Sequence, residues 1–134
     1  MLKPGSIFPP RFTSDHADTE VLVQGYKAWG EGLFARLNGM FACAVYDRHR
    51  KRLILARDRF GEKPLFVATH GEVFAFSSEL RSLLAHRALK TAGVSKIGLM
   101  KFFAHGFFPQ THTPYDGIAK LPAGHMMTID ATNR

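Results

Sequence analysis

Cysteine is almost missing from this 134-residue chain: Cys43 stands alone, which excludes an internal disulfide and any metal site built from several cysteines of this chain. Long apolar runs are missing too. No stretch reaches the roughly 18 consecutive apolar residues of a membrane-spanning helix. Met1-Leu2-Lys3-Pro4-Gly5 lacks the charged-then-apolar order of a secretory leader, so the expected location is cytoplasmic, with no membrane partner. Acidic residues are the minority, 11 against 18 basic ones, for a formal charge of +7. A nucleic-acid role would need that charge spread over a face with aromatic rings for stacking. The one dense run, Arg48-His49-Arg50-Lys51-Arg52, instead lies between two apolar strand patterns with no aromatic among its members, which is the composition of a solvated hairpin turn. The histidines, at positions 16, 49, 70, 86, 105, 112 and 125, show no paired spacing on a common face, so no metal site is expected.

What is present is enough apolar sequence, 46%, to build a core of one-domain size. Residues 1–11, rich in proline and without periodicity, read as an irregular N-terminal segment, and residues 12–134 as the folded part. From Thr19 onward Val21, Leu22, Gly25, Tyr26 and Trp29 recur at three- and four-residue steps, predicting a helix broken by Gly30 and Gly32, with a short second helix marked by Leu33, Phe34 and Leu37. Residues 39–47 and 53–57 read as strands joined by the basic turn. Residues 65–69 and 73–76 form a second hairpin around His70-Gly71-Glu72. Ser78 is placed as the cap of a helix carrying Leu80, Leu83 and Leu84. Ser95 caps another that Gly106 ends, its inner face either Ile97, Met100 and Phe103 or Leu99, Phe102 and Phe103. Residues 109–122 read as a loop and 126–129 as a closing strand. Strands grouped between helices predict an α+β layered fold rather than alternating βαβ units.

Few residues carry chemistry. Cys43 alternates with Phe41 and Val45 on a strand pattern, which makes it a small core residue rather than a nucleophile. In His16-Ala17-Asp18-Thr19-Glu20-Val21, Asp18 stands where the chain turns into its first helix, the position of a capping carboxylate. Arg57-Asp58-Arg59-Phe60-Gly61-Glu62-Lys63-Pro64 gathers charges around one glycine, too few glycines for a phosphate cradle. Its charges are expected to pair with one another while Phe60 packs inward. Asn38-Gly39 reads as a turn before a strand.

Together these segments carry a resemblance. The run Ala17-Asp18-Thr19-Glu20-Val21 is followed in order by Asn38-Gly39-Met40-Phe41-Ala42, Ala56-Arg57-Asp58-Arg59-Phe60-Gly61-Glu62-Lys63-Pro64-Leu65, Phe76-Ser77-Ser78-Glu79-Leu80 and Gly117-Ile118-Ala119-Lys120-Leu121-Pro122-Ala123-Gly124-His125. The chain thus resembles the class II glutamine amidotransferase domain of glutamine-hydrolysing asparagine synthetases, with residues 12–134 matching its C-terminal two thirds. The resemblance implies a four-layer αββα sandwich of the N-terminal nucleophile hydrolase type, its first strands missing. It also implies that Asp18 binds the α-ammonium of substrate glutamine.

The family's nucleophilic N-terminal cysteine, carboxylate-clamping arginine and Asn-Gly oxyanion pair belong ahead of the Asp18 segment, and residues 1–10 contain none of them. The expectation is therefore a chain without catalytic residues of its own, inactive alone. The implied parent makes asparagine by ATP-dependent amidation of aspartate with ammonia from glutamine. ATP and Mg belong to its absent synthetase domain, and no cofactor is expected in this chain. Implied partners are glutamine, a synthetase domain or subunit and, through exposed sheet edges and apolar faces, another copy of the chain. The competing expectation is a non-catalytic glutamine-binding or interaction module, or a relic fragment, of the asparagine synthetase and lactam synthetase family.

Overall fold

The computed structural model describes residues 18–130, so segment 1–11 and His16 lie outside the described residues. The chain divides into two compact units, after Gly39. In the first, helix α1 (Asp18–Trp29) is followed by a 3-10 turn, Gly30–Leu33. Gly30 adopts φ +55°, the left-handed conformation in which helices commonly end. Gly25 matters for another reason. A Cβ there would come 2.5 Å from Leu33 Cδ1, so the missing side chain leaves the space that the fully buried Leu33 fills. The Arg36 guanidinium lies over the Trp29 ring, 5.0 Å from its centroid. The short second helix expected around Leu33 to Leu37 is only the 3-10 turn, because two glycines within four residues leave too little helix-forming sequence to extend it.

The second unit holds strands β1 (Ala42–Asp47), β2 (Arg52–Arg57), β3 (Phe66–His70), β4 (Val73–Ser77), β5 (Ile118–Lys120) and β6 (Met126–Asp130), with helices α2 (Leu80–Ala85) and α3 (Lys96–His105). Both expected hairpins form. Asp47 Oδ1 accepts the His49 and Arg50 N–H groups at 3.0 Å each and so closes the first turn. The strand expected from residue 39 starts at Ala42, since Gly39 at φ +112° is outside the extended region. Each hairpin gains a distant third strand, giving antiparallel sheets ordered β1-β2-β6 and β4-β3-β5.

Side-chain alternation then dictates the layers. Ala42, Leu53, Leu55, Met127 and Ile129 share one face of the first sheet and meet Val67 and Phe74 of the second around Leu65 and Leu121. The opposite face of the second sheet, with Phe66, Ala68, Ala75 and Ile118, packs on Leu80, Leu83 and Leu84 of α2 and on Leu89. This is a mixed α+β body, two sheets with a helix outside one of them. The cap of α2 is not Ser78: Glu79 holds that position without a side-chain bond, and Ser77 Oγ accepts the Glu79 N–H at 3.1 Å. In α3, Ser95 Oγ does accept the Gly98 N–H at 3.2 Å and Gly106, at φ +77°, ends the helix. Its inner side is Gly98 and Leu99, with Phe102 at the margin, 37% exposed, and Phe103 points outward with Ile97 and Met100.

Candidate functional site

Asp18 is the first residue of α1 and is exposed. It lies inside the first turn rather than at the cap, where a carboxylate still meets the positive end of the helix dipole, as does Glu20. Its exposure leaves the carboxylate accessible to a solute. Asn38 and Gly39 lie before β1, where the chain bends at Gly39, φ +112°, without the expected turn. Cys43 sits on β1 with its thiol pushed up to about 11, first by burial and against the effect of a backbone hydrogen bond at Ala56. Such a thiol is protonated at neutral pH and a poor nucleophile. No cluster of histidine, cysteine and carboxylate groups that could hold a metal occurs among the described residues.

The loop from Arg57 to Lys63 departs furthest from expectation. Asp58 is 1% exposed and pairs with no cation of the loop. Its Oδ1 accepts the N–H groups of Phe60 at 3.1 Å and Glu62 at 3.0 Å, and its Oδ2 those of Lys63 at 3.0 Å and Phe41 at 3.3 Å. Burial alone would raise its pKa, and these four donors overcome that and hold the carboxyl below the ordinary carboxylate range. Arg57 likewise turns to the backbone, its guanidinium donating to the carbonyls of Lys63, Leu121 and Gly61 at 2.8, 2.7 and 2.7 Å. Gly61, at φ +68°, supplies the left-handed residue that curls the loop around Asp58. The Asp58 carbonyl accepts the Gly61 and Gly124 N–H groups at 3.1 and 2.7 Å, tying the loop to residues next to β6.

Phe60, expected to pack inward, is 80% exposed, because the inside of the curl is filled by the carboxylate and its donors. Arg57 and Asp58 are thus backbone organisers, the cation spent on carbonyls and the anion on N–H groups. Beyond it Lys120 Nζ donates to the Phe108 carbonyl at 2.5 Å, and burial, then the nearby Arg57 charge, holds Lys120 below the ordinary lysine range. The buried Thr113 hydroxyl lies 2.7 Å from the Ile118 carbonyl and accepts the Tyr115 N–H at 3.2 Å, and so shapes the turn ahead of β5. Sequence reasoning missed both Asp58 and Thr113 as organisers. The available signal was an aspartate three residues ahead of a glycine in a loop, a common pattern for side-chain-to-backbone turns.

Comparison with known proteins agrees with the motif reading. The family model described as a glutamine amidotransferase domain matches residues 10–134. Asparagine synthetase (glutamine-hydrolyzing) 3 of Bacillus subtilis is 40% identical over 117 residues, covering 84% of this chain and 18% of the relative. A putative asparagine synthetase (glutamine-hydrolyzing) 2 of Methanocaldococcus jannaschii is 32% identical over 123 residues, 91% of this chain and 24% of the relative. An amidase, chry2, of Gibberella zeae is 36% identical over 70 residues, 52% of this chain and 10% of its own length. The chain therefore spans under a quarter of these relatives. A match from residue 10 to residue 134 takes in the Asp18 helix, both sheets and the Asp58 loop, and on that extent the chain belongs to the glutamine amidotransferase domain family.

Proposed function

We propose that this chain is the glutamine-binding portion of a glutamine-dependent asparagine synthetase, in which ammonia released from glutamine passes to an ATP-activated aspartate held by the rest of the enzyme. The match over residues 10–134 carries this reading, and the 40% identical relative named as a glutamine-hydrolyzing synthetase supports it. Asp18 takes the α-ammonium of glutamine. An exposed carboxylate at the start of a helix suits that role, since a charge-assisted hydrogen bond to an ammonium distinguishes an amino acid from a simple amide. The finer architecture follows the family: a four-layer αββα sandwich, with helices outside both sheets. Ile54 and Ala56, on the face of β2 turned away from the second sheet and almost fully buried, support a covered outer face there.

One observation favours a second reading, a non-catalytic glutamine-binding module. The only cysteine is Cys43, a strand residue whose thiol is raised to about 11, the wrong protonation state for attack on an amide. Calorimetric titration of the 134-residue chain with L-glutamine tests both. Binding without ammonia release is the expected outcome, with affinity falling about tenfold or more in Asp18→Asn. Unchanged affinity in that variant returns Asp18 to a purely helical role. Release of ammonia at enzymatic rates overturns the second reading.

A further inference from the structure

We propose that the outer side of α3 is an apolar surface on which the rest of the parent synthetase docks, the docking part bringing an apolar patch of its own edged with carboxylates. This rests on reading the chain as the amide-donor part of a larger synthetase.

Three large apolar residues of α3, Ile97, Met100 and Phe103, are exposed, and Val94 and Phe107 flank its two ends, so that in chain order the five run Val94, Ile97, Met100, Phe103 and Phe107. They are 59, 62, 72, 80 and 60% exposed. On a helix at about 100° per residue, Ile97, Met100 and Ala104 stand opposite the side that the chain itself covers. That covered side is specific. Gly98 lies so close to the Thr113 carbonyl that a Cβ there would be 2.0 Å from its oxygen, and Phe102 stacks on Phe108 with ring centroids 4.9 Å apart. The helix thus carries large apolar side chains on its open side as well as on the covered one, with Lys101 and His105 on the flank between them. Exposed apolar patches of this kind mark interaction surfaces.

Charge decides what covers it. Lys96, Lys101 and His105 are the only titratable side chains of α3, which has no carboxylate, and the chain has a formal charge of +7. Two copies meeting through this helix would set like charges against each other, whereas an apolar surface edged with carboxylates would be steered toward it. The relatives extend far beyond the matched domain, which covers 18% of the Bacillus subtilis synthetase, so such a surface has ample chain to come from.

Thiol labelling tests this. In a Cys43→Ser background, Met100→Cys or Phe103→Cys is introduced into the 134-residue chain and into a fusion in which the chain replaces the matched domain of the Bacillus subtilis relative. The expected result is rapid labelling in the free chain and labelling at least tenfold slower in the fusion, with Val23→Cys on α1 labelled equally in both. Equal rates at 100 and 103 in the two proteins overturn the proposal. Protection that grows with concentration of the free chain also overturns it, and assigns the face to a second copy. Neither result depends on glutamine, so loss of the Asp18 effect with protection intact would fault the functional reading alone.

Discussion

At the scale of single residues, the second unit depends on side chains that bond to backbone. Replacing Asp58 by alanine takes the acceptor from four part-buried N–H groups, and since water can reach some of them the loss should be about 1–3 kcal/mol, read from the urea midpoint. The pH dependence has a definite sign. The folded carboxyl titrates below the unfolded one, so Asp58 contributes its full stability above the unfolded value, near 4, and loses it as pH falls toward the folded value. Wild type should therefore lose its advantage over Asp58→Asn between pH 5 and lower pH, about where urea titrations at a series of pH values can follow it. Cys43 gives a second test. Raised from 9.0 to about 11, its thiolate fraction is about a hundredfold below that of an ordinary thiol, and alkylation at pH 7.5 should be slowed in proportion.

At the scale of elements, local chemistry and tertiary contact sometimes oppose each other, and α3 shows which prevails. Gly98→Ala raises helix propensity by about 1 kcal/mol. It also forces a methyl group against the Thr113 carbonyl, a backbone atom that cannot swing aside. Overpacking costs about 1–3 kcal/mol, so thermal denaturation should show a net loss of stability. Ser95→Ala removes only the cap and should cost about 1 kcal/mol. Ser95 and Gly106 were legible because caps are set by neighbours in sequence. The inner face of α3 was not, since large apolar residues fall on two of its faces and periodicity cannot choose between them. Ser78 was misplaced by one residue for a related reason: Ser77 and Ser78 are both able to turn the chain, and packing of the helix on its sheet settled which one does.

At the scale of the whole molecule, Arg57 joins segments far apart in the chain. Its guanidinium reaches carbonyls at residues 61, 63 and 121, and the fork geometry allows all three bonds at once. Lysine has a point charge on a flexible stem and cannot span all three carbonyls, so Arg57→Lys should lower stability by about 2 kcal/mol, measured by urea denaturation. Before any coordinates, the amino-acid order had determined the hairpins, the α+β class and the run of family motifs, because turn chemistry and apolar periodicity act between near neighbours. Only the tertiary structure decided that β6 pairs with β2 and β5 with β3, that Asp58 and Arg57 bond to backbone instead of to each other, and that Phe60 and the outer side of α3 face outward. Those outcomes depend on which atoms distant segments bring within hydrogen-bonding reach and which apolar surfaces they leave uncovered, and neither is written in local spacing.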